Sequence, residues 1–109
     1  MDWRGAEKNT RKRLKDIGLG MERVPGSGCG TRKGDSRSPA IMVEDKFTKG
    51  LGFRVTRDML SKAEAQAFRS GARIALICLT FENGPRVYIV DGDRMEEWLE
   101  RLVERGELE

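Results

Sequence analysis

The stretch Gly34-Asp35-Ser36-Arg37-Ser38-Pro39-Ala40-Ile41-Met42-Val43-Glu44-Asp45-Lys46 decides how this chain folds. Residues 40–48 are expected to form a β-strand. Its period of two places Met42, Glu44, Lys46 and Thr48 on one face and Ile41, Val43, Asp45 and Phe47 on the other. Ser38-Pro39 is a turn signal that folds the Asp35 segment back antiparallel, which brings a second carboxylate alongside Glu44. Two carboxylates and one ammonium then share a small site.

Such a site suits a hard cation. Mg²⁺ takes oxygen ligands, keeps several waters and bridges to phosphate oxygens. A neighbouring lysine orients the attacking water or stabilises the charge that develops on phosphorus. The plain alternative is a surface hairpin in which Glu44 and Lys46 form ordinary strand pairs, and an acid, a gap and E-x-K are by themselves a weak pattern.

Working outward, 109 residues bound the chain to one domain, residues 1–109, large enough for a modest core. A charged content of 36% against 38% hydrophobic fits a heavily charged surface, and no apolar run approaches a membrane span. The basic, polar N-terminus has no apolar leader pattern, so the expected location is the cytoplasm, with no membrane partner. Cys29 and Cys78 stand in unlike contexts and suggest neither a disulfide framework nor a zinc site. Histidine is absent, so any metal chemistry falls to oxygen ligands.

The net charge of +3 hides an asymmetry. Residues 1–57 hold 14 Lys and Arg against 7 Asp and Glu, whereas residues 58–109 hold 7 against 11. The basic half contains the acid cluster. A polyanion substrate needs that combination, with cations holding phosphates and acids holding a metal, although a solvated charge run gives the same count.

Ala6, Thr10, Leu14 and Ile17 recur at helical spacing on one face, which predicts a helix over residues 3–17 stopped by Gly18. Glu7 lies beside that stripe in the first turn, where complementing the helix dipole is its simplest use. Residues 21–24 make a short strand. The glycine-rich run Pro25-Gly26-Ser27-Gly28-Cys29-Gly30 matches neither a phosphate-binding loop nor a dinucleotide fingerprint, so no nucleotide cofactor is expected. Beyond the central strand, Lys49-Gly50-Leu51-Gly52 is a flexible connection. Thr56 caps a helix over residues 57–70 closed by Gly71, with Leu60, Ala63 and Ala67 facing inward. Residues 74–81 are a strand buried on both sides, Asn83-Gly84 a hairpin turn, and residues 87–90 the returning strand. Asp93 and Glu96 open an amphipathic last helix bearing Met95, Trp98, Leu99, Leu102 and Val103 and ending near Gly106. The expected class is α/β, a mixed sheet flanked by helices in the order α-β-β-β-α-β-β-α.

Taken together, Glu7, the Gly26-Ser27-Gly28 loop, Lys33-Gly34-Asp35, Val43-Glu44-Asp45-Lys46 and the tail Arg73-Ile74-Ala75-Leu76-Ile77 resemble the PD-(D/E)XK nuclease superfamily. Within it they are similar to the small archaeal-type and phage-encoded Holliday junction resolvases. The resemblance implies a Mg²⁺-dependent endodeoxyribonuclease that cuts four-way DNA junctions by metal-activated water, with substitution by Mn²⁺ left open; because one domain with one acid cluster cuts one strand, two symmetric cuts call for a homodimer. It makes Asp35 and Glu44 metal ligands, Lys46 the catalytic lysine, Glu7 an acid at or beside the metal, and Ser27 a loop residue at the scissile strand. Lys8, Arg11, Lys12, Arg23, Arg32, Lys33 and Arg37 become the candidate phosphate contacts. Two departures stand out: Asp45 occupies a position that is usually apolar, and the turn from Asp35 to Glu44 is shorter than in the archaeal enzymes. Other nicking or repair endonucleases of the superfamily share this chemistry, and a non-catalytic DNA-binding accessory domain is the alternative of a different class.

Overall fold

A parallel pair of eight-residue strands forms the centre of the molecule, and everything else is arranged on its two faces and two edges. The computed structural model describes residues 2–23 and 35–109. In chain order the elements are α1 (Trp3–Asp16), β1 (Glu22–Arg23), β2 (Asp35–Arg37), β3 (Ile41–Thr48), α2 (Arg57–Arg69), β4 (Ile74–Phe81), β5 (Arg86–Ile89) and α3 (Gly92–Glu104). The strands form one sheet in the order β1-β2-β3-β4-β5. Only β3 and β4 run parallel, joined through α2, and the other neighbours are antiparallel. This is the mixed sheet with three helices that the chain pattern predicts.

The β2–β3 turn is built as expected. Ser38 N–H donates to the Ile41 carbonyl at 2.8 Å, and Ile41 N–H donates back to the Ser38 hydroxyl at 3.2 Å. Pro39, which has no N–H to offer, sits inside the turn where none is needed. The alternation of β3 also follows the period of two. Val43 joins Leu14, Met21, Leu76 and Cys78 in the core on the α1 side, with Trp98 of α3 packed against them. Met42 faces the other way, where the Ser70 hydroxyl at the end of α2 approaches its sulfur at 3.9 Å.

Helix α2 starts where Thr56 accepts from Met59 N–H at 3.2 Å and ends before Gly71, whose φ of 80° suits glycine. Its buried residues are Ala63 and Ala67, small enough for the helix to lie close on the sheet. Leu60, expected inside, is instead 40% exposed. At α3 two expectations change. The cap is Asp91, which accepts from Arg94 N–H at 3.2 Å, two residues ahead of the expected Asp93. None of the helix's residues is fully buried, and Met95, Leu99 and Val103 remain exposed. The helix is amphipathic in sequence, yet its apolar stripe is wider than the strip of sheet it covers.

Ile77 is 2% exposed at the middle of β4. Ile77→Ala should therefore lower unfolding free energy by about 2–5 kcal/mol in urea titrations, whereas Thr56→Ala, which removes only a helix cap, should cost about 1 kcal/mol.

Candidate functional site

Register places the first two acids. In the β2–β3 ladder Asp35 lies directly opposite Glu44, Ser36 opposite Val43 and Arg37 opposite Met42. Direct partners share a face, with Cβ atoms about 4.5–5.5 Å apart. Glu44 and Lys46 thus belong to the α2 side of the sheet, and Asp35 takes the register position opposite Glu44. Lys46 Nζ stands 3.2 Å from a Glu44 carboxylate oxygen, and both side chains are only partly exposed. Helix α2 covers the beginning of these strands, where Ser70 meets Met42. Lys46 lies four residues further along β3, towards its carboxyl end.

Glu7 is elsewhere. It is buried on α1, ion-paired to Arg11 one turn on and 3.8 Å from Arg23 Nε. Arg11 also donates to the Ser36 hydroxyl at 3.4 Å, and Ser36 shares a face with Val43 and Asp45. The structure therefore sets Glu7 on the α1 side of the sheet and Glu44 on the α2 side, and the two do not converge. Among the described residues no group of three or more His, Cys, Asp or Glu side chains gathers into a cation site. Asp35 and Glu44 still fit a hard cation by donor chemistry. Two carboxylate residues paired across adjacent strands suit an ion that takes one or two protein carboxylates and fills its remaining positions with water.

The cations sort into two groups. Lys8 and Lys12 are exposed on α1, and with Gly5, Asn9, Arg11 and Lys15 they line a shallow groove of about 470 Å³. They make no ion pair with the described residues. Arg11 and Arg37, expected to meet phosphate, are held inside the chain instead. The Arg37 guanidinium donates to the Ser70 carbonyl at 3.4 Å, which ties β2 to the last turn of α2. Arg23 is exposed and shares the Glu7 carboxylate. Ser27, Arg32 and Lys33 lie outside the described residues.

The Arg11 role was legible in part, because a Glu-to-Arg spacing of four is the favourable ion-pair arrangement on a helix. What the spacing does not carry is Ser36, 25 residues away. Asp45 is buried beside Cys78, its register partner on β4. Burial pushes the Cys78 thiol above its ordinary value, with the Thr10 hydroxyl, 3.5 Å from the sulfur, pulling the other way. Cys78 is consequently a neutral core group and no nucleophile. A cavity of about 690 Å³ between Phe68, Arg73, Ile74 and Arg94 opens at the start of β4, and Lys46 is not among its lining residues.

Comparison with known proteins returns no matching family model, no matching characterised protein and no matching solved structure.

Removing Arg11 leaves the buried Glu7 carboxylate with only the longer contact to Arg23, while removing Lys12 leaves no group unpaired among the described residues. Arg11→Ala should lower stability by about 1–3 kcal/mol, and Lys12→Ala should stay within about 0.5 kcal/mol of the parent in the same denaturant titration.

Proposed function

We propose that the chain is a metal-dependent endodeoxyribonuclease of the PD-(D/E)XK kind, acting on branched DNA and most simply on four-way junctions. The observation that carries this reading is the register of Asp35 opposite Glu44, with Lys46 on the same face at 3.2 Å from Glu44. The element order and the parallel β3–β4 pair agree with the fold that the resemblance implies.

Asp35 and Glu44 would hold Mg²⁺, which would supply positive charge to phosphate oxygens and acidify a water. Glu44 has a second task, since its carboxylate keeps the Lys46 ammonium aimed across the same face. Lys46 donates to the phosphate oxygen on which negative charge grows as the phosphorus–oxygen bond breaks. Glu7 serves the site indirectly, by fixing α1 to β2 through Arg11 and Ser36, next to Asp35. Lys8 and Lys12 bind backbone phosphates without reading sequence. Two cuts across a junction require two sites, and a symmetric dimer in the cytoplasm provides them; the exposed Met95, Leu99 and Val103 on α3 offer apolar surface for it.

The exposed lysines of α1 also favour a second reading, a DNA-binding domain without catalysis. Divalent metal separates the two. With Mg²⁺, the parent protein should nick four-way junctions in symmetric pairs and leave matched linear duplex largely intact. Asp35→Asn, Glu44→Gln and Lys46→Ala should each reduce cutting by at least a hundredfold while binding persists. Near-parental cutting by any of these variants removes the site, and binding that is never followed by cutting leaves the DNA-binding module.

Salt dependence tests the α1 groove. Lys8→Gln and Lys12→Gln should each make the slope of log affinity against log salt shallower by about one, and Glu100→Gln on α3 should leave it unchanged.

A further inference from the structure

Strand β3 does not run directly into α2. Eight residues separate them, Thr48 closing the strand and Thr56 capping the helix. The start of this connection is tethered. Gly50 N–H donates to the Thr48 hydroxyl at 3.0 Å, and Glu82 N–H donates to the Thr48 carbonyl at 2.9 Å, which fastens the loop to the β4–β5 hairpin. At its tip stands Leu51, 106% exposed and the most exposed of the large apolar residues described.

A single exposed leucine is ordinary on a protein surface. Three features set this one apart. Its neighbours Gly50 and Gly52 carry no side chains, and an added Cβ at Gly52 would meet nothing within 4 Å, so another backbone can come close on that side. Lys49 and Arg54 flank it, both exposed and without an ion pair among the described residues. The loop leaves the carboxyl end of β3, on the continuation of the strand that carries Glu44 and Lys46. Ligands of open α/β sheets collect outside the carboxyl ends of their strands.

An apolar tip between two cations, with nothing packed around it, suits a base step that has already lost part of its stacking. Apolar wedges enter such steps and hold them open, while adjacent Lys and Arg meet the phosphates. We propose that Leu51 is a branch-point wedge: it enters the opened base step where DNA arms meet, and Lys49 and Arg54 hold the flanking phosphates. The wedge rests on the branched-DNA binding proposed above, and not on the cutting.

Unstacking can be read without cutting. The full chain is mixed, in EDTA, with a four-way junction carrying 2-aminopurine at the branch, and fluorescence is followed to saturation. The parent should raise it several-fold. Leu51→Ala should bind within about threefold of the parent but leave the fluorescence near that of free DNA, and Leu51→Met should restore the rise. Because Leu51 packs against nothing, all three proteins should melt together. A parent complex that stays quenched, a parent that does not bind the junction, or a Leu51→Ala complex as bright as the parent overturns the wedge. Adding Mg²⁺ tests the other reading separately: unstacking without cutting sinks the nuclease and keeps the wedge, and cutting from a quenched complex does the reverse.

Discussion

A strand covered by a helix on each face over its first half has little solvent face on which to discard polar groups, and β3 carries Glu44, Asp45, Lys46 and Thr48. That constraint governs the molecule. The strand meets it by pairing along its whole length with β4, from Ile41 opposite Ile74 to Thr48 opposite Phe81, and with β2 at Met42, Val43 and Glu44. Three of its apolar residues, Ile41, Met42 and Val43, come first, under the two helices. Its charged residues come afterwards, where Glu44 and Lys46 neutralise each other on one face. A carboxylate and an ammonium left half-buried at the carboxyl end of a rigid strand are held in place by the same pairing that makes the core.

The α1 side answers a different demand. Helix α1 must cross a short, polar strand, β2, whose middle residue is Ser36. Glu7 and Arg11 make that crossing specific, because a buried carboxylate without its guanidinium would cost more than the pair contributes. Thr10 adds a second link, donating to the Ala6 carbonyl at 3.0 Å and reaching Cys78 on β4. The basic helix is therefore anchored by its inner polar residues, which leaves Lys8, Lys12 and Lys15 free to face outward. Charge that a count treats as uniform is divided between holding the fold together and facing solvent.

Much of the architecture was legible in the chain itself. Residues 74–81 were expected as a buried strand and form β4 with those limits, since eight nearly continuous apolar residues admit few other structures. Thr56 and Gly71 bound α2 as their side chain and backbone freedom dictate. Ser38-Pro39 turns the chain, and the period of two then sets Glu44 and Lys46 on one face without reference to any distant residue. These features depend on neighbours a few positions apart, and local stereochemistry is written locally.

The remainder required three dimensions. The helical spacing at Glu7 says nothing about which face of the sheet α1 will cover, and that choice separates Glu7 from Glu44. Arg11 and Arg37 are cations by composition, but Ser36 and the Ser70 carbonyl, 25 and 33 residues away, decide that they bind the protein itself. The apolar stripe of α3 is plain in sequence, whereas its partial exposure depends on how much sheet β5, a four-residue edge strand, leaves to cover. Periodicity determines the shape and sidedness of each element; long-range packing determines which sides meet, because it is the sum of contacts between residues that no local window contains.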